Sequence, residues 1–363
     1  MASPGADIQK RRAAFGFTPT ELADLAALPE ARVLAIESGA VQVTTSDLAL
    51  LADALACDAA DLARGELDDA RRSPARFRGA IGGRVPSPHD LRLLARAAET
   101  GRILASLRGR LGEPAAPLQD LRSLSAPSPA MEPWEHGYQL GAKAREQLHP
   151  GPLLSVQAML ESWGVHIAEV AFESDEIEAA SLYETGAAPV ILVNSRAGKA
   201  RYRPSLRAIL AHELCHLLHD GGQRNLTAVS LEKDSSPVKQ RANGFAPSFL
   251  APGARVSLRS AEPSAMVLEL AETWGFSFEG AAWHLKNLGL IPAATADRLI
   301  EQQHRSLPDT PFERPMHRTP PDQFGIEVEP SPLALGLLSE TAIIAAAEGL
   351  ISRGRAAEIL LLR

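Results

Sequence analysis

An apolar run that contains two histidines, residues 209–218, constrains the fold of this chain more than any other feature. The run has the sequence ILAHELCHLL and contains neither glycine nor proline, so it favours a helix. Because an α-helix repeats every 3.6 residues, His212 and His216 lie on the same face of that helix. Glu213 directly follows the first histidine, so its carboxylate can point at the space in front of both imidazoles. The spacing therefore predicts a polar site on one face of an otherwise apolar helix.

These three side chains form an HExxH motif, which is typical of a zinc site. Neutral imidazoles bind zinc well, and an open coordination position lowers the pKa of a bound water to about 7. A neighbouring carboxylate can accept the proton of that water and return it to a leaving amine. We therefore expect Zn2+ as the cofactor, with His212 and His216 as metal ligands and Glu213 as the catalytic residue. The alternative is an ordinary amphipathic helix whose histidines are satisfied in the core.

The composition is that of a globular protein with two or three domains, since 45% of the 363 residues are apolar. A formal net charge of -7 and an aromatic content of 5% give no sign of a nucleic-acid coat or a polybasic membrane anchor. Cys57 and Cys215 are far apart and form no CxxC pair, which suits a reducing compartment. The start of the chain also lacks the uninterrupted apolar core of a signal peptide. We therefore predict a cytoplasmic protein without membrane contact.

Residues 8–66 are expected to form a bundle of short helices, because leucine, isoleucine and valine recur there at helical spacing. Thr18, followed by Pro19 and Glu21, is typical of a helix start. Between residues 12 and 55 the segment resembles the helix-turn-helix domain of Cro-type repressors. The matching stretches are RAAFGFT at 12–18, ELA at 21–23, IESG at 36–39 and the pattern LxxLAxAL at 48–55.

In that resemblance, the recognition helix falls at about Pro29 to Ile36. The side chains of this helix offer almost no hydrogen-bond donors to the edges of DNA bases, and Arg32 is the exception. Residues 1–65 contain five basic and nine acidic residues, so this segment should repel phosphates on average. Two interpretations stay open, namely sequence-specific DNA binding, and dimerisation or partner binding through the same fold.

The segment from residue 64 to residue 110 has an excess of basic residues, in contrast to the acidic segment before it. The arginines of this stretch fall in a linker (Arg71, Arg72, Arg76, Arg78, Arg84) and on a predicted helix (Arg92, Arg96, Arg102, Arg108, Arg110). They could contact a nucleic-acid backbone, but we favour solvent exposure or pairing with nearby acids. Many prolines between residues 112 and 133 indicate a linker, with a domain boundary near residue 130.

Beyond that boundary the pattern mixes helices and strands. Two helices are predicted at about 134–147 and 153–163. Residues 165–170 alternate as in a strand, and 189–194 form a continuous apolar run that suits a buried strand. Residues 262–303 favour two or three further helices.

The end of the chain has a different character. Seven prolines between residues 307 and 332 indicate a loop or arm. A final pair of short helices over 333–363 could cap the core or make a dimer contact. The sequence does not choose between these two roles.

Several other polar residues receive ordinary roles. Arg207 could orient a substrate, although a capping or surface role fits it better. Cys215 lies between the metal-facing positions and is expected to be a packed small side chain. Four histidines have no ligand spacing and are expected to be structural or exposed: His166, His284, His304 and His317.

Residues 135–300 resemble the ImmA/IrrE family of metallopeptidases in the order and the spacing of several elements. These elements are AAPVILVN at 187–194, RAILAHELCHLL at 207–218, RANGFA at 241–246, FLAP at 249–252, WGFS at 274–277 and LKNLGLI at 285–291. The resemblance implies an α+β, gluzincin-like domain, often joined to a helix-turn-helix module. It also implies that the substrate is a repressor of that same type, whose cleavage switches on stress, mobile-element or defence genes.

Position 239 departs from the family pattern. The resemblance places the third zinc ligand, a glutamate, four residues before Asn243, where this chain has Lys239. An ammonium group cannot bind zinc unless it is deprotonated, and its charge opposes the cation. Three explanations stay open: a different ligand, a pseudoenzyme that keeps the fold for sensing or partner binding, or a local shift of the alignment near Pro237. The other ligands considered are Glu232, Asp234, His219 and Asp220.

Together these features predict an α+β fold that is predominantly helical. We divide the chain into a helix-turn-helix-like domain (1–66), a basic linker and helix (67–130), a metallopeptidase domain (131–305) and a proline-rich arm with C-terminal helices (306–363). The first functional hypothesis is a zinc endopeptidase that cleaves a repressor or a related regulator. The rival is a catalytically silent transcriptional regulator or partner-binding sensor. DNA contact through the N-terminal region and a homodimer are further alternatives.

Overall fold

The computed structural model describes residues 4–65, 86–113, 131–146, 148–220, 226–231, 236–302, 311–313 and 321–361. Helices dominate these residues and one small sheet lies among them, so the fold is α+β and predominantly helical, as predicted. The α-helices of the described part of the chain are α1 (Pro4–Phe15), α2 (Pro19–Ala26), α3 (Glu30–Glu37), α4 (Thr45–Ala54), α5 (Ala59–Arg64), α6 (Pro88–Arg110), α7 (Pro133–Glu146), α8 (Val156–Ser162), α9 (Arg203–His219), α10 (Pro237–Leu250), α11 (Pro263–Trp274), α12 (Phe278–Asn287), α13 (Ala293–Gln302), α14 (Leu337–Ala347) and α15 (Arg353–Leu360).

A four-stranded sheet lies in the middle of the chain, with the strand order β1-β3-β2-β4. Its strands are β1 (His166–Val170), β2 (Ile177–Tyr183), β3 (Val190–Asn194) and β4 (Leu226–Leu231). β1 runs parallel to β3, and the other two pairings are antiparallel. The sequence patterns predicted β1 and β3 but not β2 and β4, whose alanine and serine residues weaken the strand signal.

Strand β3 is buried on both faces of the sheet, which accounts for its continuous apolar sequence. Val190 and Leu192 pack in a core that includes α6 and the N-terminal helices. Ile191 and Val193 pack in a second core that includes α9, α10 and α11. This alternation follows the two-residue period of a strand. Helix α9, which carries the HExxH motif, therefore rests on a sheet whose opposite face is also covered.

The apolar side chains of the five N-terminal helices pack against one another, and they include the stacked rings of Phe15 and Phe17. Helix α2 begins with a capping box, in which the Thr18 hydroxyl accepts from the Glu21 amide and the Glu21 carboxylate accepts from the Thr18 amide. Helix α3 covers the expected recognition helix and begins at Glu30, one residue later than the expected start at Pro29. The assignment of α2 and α3 to a helix-turn-helix domain stays a prediction.

The C-terminal helices α14 and α15 pack against the second half of α6. Arg110 donates a hydrogen bond to the Leu350 carbonyl at 3.1 Å, and Arg355 pairs with Asp58 at 2.6 Å. The helix pair is thus joined to the N-terminal half of the chain. The predicted boundary near residue 130 and part of the proline-rich arm, residues 307–310 and 314–320, lie outside the described residues. In the described part of the chain, every helix falls short of the length and apolar character needed to cross a membrane.

Helix α10 packs closely against α7, because glycines stand where the two backbones meet. A Cβ atom at Gly137 would collide with the Arg241 carbonyl, and one at Gly244 would collide with the Trp134 carbonyl. Helix α10 also contacts α9. The glycines thus hold α10 between α7 and the HExxH helix, which positions its side chains at the site.

Candidate metal centre

Helix α9 places the HExxH side chains together in the interior. His212 and His216 are 8% and 4% exposed, and Glu213 is fully buried. The Nε2 atoms of the two histidines lie 3.1 Å apart. Two nitrogens bound to one zinc ion at about 2.1 Å in a tetrahedral arrangement would lie roughly 3.4 Å apart. The histidine pair therefore fits a zinc ion.

The three predicted site residues form the one group of potential metal ligands found among the described residues. One ligand atom from each of His212, Glu213 and His216 lies within 4.8 Å of the others. Local helix geometry accounts for this, because positions i and i+4 lie on one face and position i+1 is adjacent. The sequence spacing alone therefore predicts this part of the site.

Asp220 holds His216 in the orientation that suits a ligand. Its Oδ2 atom lies 2.7 Å from His216 Nδ1, and its other oxygen accepts a hydrogen bond from Arg241 of α10. A carboxylate on Nδ1 favours the tautomer that carries its proton there, so Nε2 presents its lone pair toward His212. Asp220, considered above as a ligand, is instead placed to orient one.

Burial keeps His212 neutral. The pKa of His212 lies well below its usual range, first because the imidazole is buried and then because His216 and the charge of Lys239 oppose protonation. Asn243 of α10 hydrogen-bonds to this histidine and acts in the opposite direction. A neutral imidazole is the form that binds a metal, since a protonated ring has no lone pair to offer.

The other candidates for a third ligand do not join this group in the described residues. The ring of His219 packs against Phe245 with 5.8 Å between centroids, and its pKa falls to about 4, mainly through burial. Glu232 and Asp234 lie outside the described residues. Cys215 is fully buried, and burial raises the pKa of its thiol to about 12, which agrees with a packed side chain.

Lys239 occupies a buried position on α10, one helical turn before Asn243. Ser236 caps this helix by accepting from the Lys239 amide, and the lysine is only 7% exposed. Because the charge of Lys239 and a hydrogen bond that Asn243 accepts both act on His212, the two residues face the metal helix together. This placement argues against a shift of the alignment and leaves a lysine where the family resemblance implies a glutamate.

Glu178 of β2 lies opposite that lysine. Its Oε2 atom is 4.0 Å from Lys239 Nζ, and its Oε1 atom is 3.0 Å from Lys199 Nζ. The pairing of β2 with β4 is irregular between Ile177 and Ala179. In a regular strand these two residues would face the same side of the sheet, but here they pack in different cores. Such a bulge re-aims the side chain it contains. Sequence patterns gave no signal for Glu178, because β2 itself was not predicted.

A cleft of about 500 Å³ opens beside His212 and Glu213. Its lining includes Tyr138 of α7 and His284 of α12, whose hydroxyl and Nδ1 atoms lie 2.9 Å apart. The Nε2 atom of His284 lies 2.7 Å from the Ala251 carbonyl, and burial lowers the pKa of this histidine to about 4. A neutral ring that donates to Ala251 must accept from Tyr138. His284 is therefore structural, as expected, and helps to shape the cleft.

Arg207 is a structural residue of the metal helix. Its side chain is fully buried, 2.9 Å from the Glu313 carboxylate and stacked at 4.5 Å over the ring of Phe312. The same carboxylate accepts from the amides of Val156 and Gln157 at the start of α8. The expected surface role of Arg207 was wrong, because a segment more than a hundred residues away covers it.

The described arginines considered for nucleic-acid contact have protein partners. Arg32 pairs with Asp47 at 2.6 Å. The partners of the arginines on α6 are Asp53 for Arg92 and Arg96, Glu99 and Glu184 for Arg102, Glu113 for Arg108, and the Leu350 carbonyl for Arg110. The five linker arginines between residues 71 and 84 lie outside the described residues.

Comparison with known protein families supports the metal-site interpretation. A peptidase family M78 model, described as the IrrE N-terminal-like domain, matches residues 161–286. The match covers all four strands and helices α9 and α10, and it indicates a metallopeptidase-type function for this segment. No match was found among curated proteins or among solved structures.

Proposed function

We propose that this chain is a zinc-dependent endopeptidase that cleaves a repressor or a related regulatory protein. The observation that carries the proposal is the pair of imidazole Nε2 atoms 3.1 Å apart, with Asp220 on His216 Nδ1 and Glu213 buried beside them. The adjoining cleft of about 500 Å³ offers room for part of a peptide. The match to a peptidase family over the same residues agrees with this interpretation.

The roles follow from the chemistry of each side chain. His212 and His216 would hold the zinc ion, which supplies Lewis acidity when bound. Glu213 accepts a proton from the attacking water and returns it to the amine of the departing peptide. Asp220 and Arg241 orient His216, and the neutral state of His212 keeps its ring available as a ligand.

The identity of the substrate rests on resemblance. Metallopeptidases of the ImmA/IrrE type are expected to cleave helix-turn-helix repressors, and the N-terminal helices of this chain resemble the same kind of module. Cleavage of such a repressor would switch on a stress or defence response.

Elemental mass spectrometry of the full chain, purified without added metal, tests the metal centre. We expect near-stoichiometric zinc in the wild type and its loss in His216→Ala. Absence of zinc from the wild type, even after zinc is supplied, would contradict the proposal.

Comparison of protein N-termini in cells that express either the wild type or Glu213→Gln tests the substrate. We expect a new N-terminus inside a helix-turn-helix regulator in the wild-type sample only. Identical sets of N-termini, with zinc bound in both proteins, would exclude proteolysis.

Lys239 favours a second candidate function, that of a catalytically silent regulator or partner-binding sensor. The lysine is buried, faces the metal helix and pairs with Glu178 at 4.0 Å. Its charge opposes a cation at this place. In addition, a lysine at this position leaves the site without one of the three protein ligands that a catalytic zinc site usually has. A chain that binds no zinc in the experiment above, and whose HExxH variants keep its regulatory effect in cells, would support this candidate.

A further inference from the structure

Three aromatic side chains, Tyr138, Phe276 and Trp283, line the cleft beside Glu213, although aromatic residues make up only 5% of the chain. The chain has four tryptophans, and two of them, Trp163 and Trp274, are buried. Trp134 and Trp283 are each 38% exposed, and Trp283 lines the cleft. Tryptophan is enriched where a protein binds another molecule. Its place in this cleft therefore calls for a ligand.

Part of the cleft lining is apolar. Leu250 and Phe276 form part of the same cavity wall, and both are almost fully buried. The Lys286 ammonium lies 4.1 Å from the centre of the Trp283 ring, which holds the indole in place. A single cavity is thus lined by HExxH side chains and by the Trp283 ring.

Polar groups lie around this apolar lining. Asn243 and Asn287 are exposed at the cleft and offer hydrogen bonds of the kind that a peptide backbone makes. The charged residues at the cleft are Glu178, Glu213 and Glu279 with Lys199, and Lys199 pairs with Glu178 at 3.0 Å. Acidic side chains outnumber basic ones in this lining, so a basic side chain is the alternative occupant that the Lys peptide below tests.

We propose that this cleft binds a bulky apolar side chain of the peptide substrate, next to the bond to be cleaved, and that Trp283 determines this specificity. The inference rests on the proposed peptidase function, because Glu213 and Trp283 line the same cavity. Burial of a leucine or phenylalanine side chain against Trp283, Phe276 and Leu250 supplies the affinity.

The test measures peptide binding by the full chain with the Glu213→Gln substitution, so that bound peptide is not consumed. The probes are fluorescein-labelled decapeptides that differ at one central position, which carries Phe, Leu, Ala, Asp or Lys. We expect the Phe and Leu peptides to bind at least about tenfold more tightly than the Ala peptide in fluorescence polarisation. Equal binding of all five, or binding of none, would overturn the proposal.

Two tryptophan variants in the same background locate the effect. Trp283→Ala should reduce the tenfold preference to near unity, and Trp283→Phe should keep part of it. Trp134→Ala is the matched control, because Trp134 is equally exposed but does not line the cleft, and it should keep the full preference. A preference that survives Trp283→Ala would show that the apolar side chain binds elsewhere. Circular dichroism verifies that each variant folds.

Cleavage by the zinc-loaded wild type separates this inference from the proposed function. The same peptides are incubated with that protein and the products are identified by mass spectrometry. Apolar preference in binding without any cleavage would contradict the peptidase activity but support the binding site. Cleavage without preference for Phe or Leu would support the peptidase activity and overturn the inference.

Discussion

The Nζ atom of Lys239 lies 4.0 Å from the Oε2 atom of Glu178, and both side chains are largely shielded from water. This pair joins α10 to β2 beside His212. It places a positive charge where the family resemblance implies a carboxylate ligand. The charge of Lys239 therefore opposes a cation at this site.

Replacement of Lys239 by glutamate should strengthen zinc binding. Lys239→Glu removes the opposing charge and supplies a carboxylate on the face of α10 that approaches His212. We expect the dissociation constant for zinc to fall by about tenfold or more, measured by competition with a chromophoric chelator. Lys239→Gln, which removes only the charge, should give a smaller gain. Equal affinities for the two variants would mean that position 239 supplies no ligand.

Loss of the carboxylate on His216 should weaken the metal site. Asp220→Asn keeps the shape of the side chain but removes the charged acceptor of the His216 Nδ1 proton. Substitutions of this kind cost about 10-fold to 100-fold in metal affinity, and we expect a loss in that range by the same competition assay. Asp297→Asn, at an exposed position of α13, is the control and should leave the affinity unchanged. An unaffected Asp220→Asn variant would show that Asp220 does not orient the ligand.

His284 should make the folded state less stable in mild acid. Its pKa falls from 6.5 to about 4 because the ring is buried, so below pH 6.5 the unfolded chain binds a proton that the folded chain does not. The free energy of unfolding should therefore decrease as the pH falls from 6.5 toward 4, by about 3 kcal/mol in total. Urea unfolding at pH 7 and pH 5 measures this change.

The non-titrating variant His284→Gln is the control for that pH dependence. It should be less stable at pH 7, because the contact with Tyr138 changes, but it should lose less stability between pH 7 and pH 5 than the wild type. The same pH dependence in both proteins would assign the effect to other buried groups, such as His219, whose pKa burial also lowers to about 4.

Removal of the Glu313 charge should destabilise the base of the metal helix. Glu313→Gln leaves the fully buried Arg207 guanidinium without its charged partner, and such a loss costs about 3 to 5 kcal/mol. Urea unfolding of the full chain measures the change in stability. Glu358→Gln disrupts an exposed pair with Arg355 and should cost less than about 1 kcal/mol. Similar effects of the two variants would contradict the structural role of Glu313.

The sequence by itself determined the elements that depend on neighbouring residues. The HExxH spacing placed His212, Glu213 and His216 together, because helix periodicity is a local property. The apolar run at 189–194 predicted a buried strand, and β3 occupies residues 190–194. The N-terminal helices and the start of α2 at Thr18 were predictable for the same reason.

Only the tertiary structure decided which distant residues complete the site. Asp220 was considered as a ligand, but Arg241 of α10 and the His216 ring give it an orienting role. Glu178 and Trp283 come from segments whose patterns did not indicate a function, and Arg207 is buried by residues 312 and 313. Contacts between distant segments depend on packing of whole faces against each other, and sequence periodicity shows which face is apolar but not what covers it.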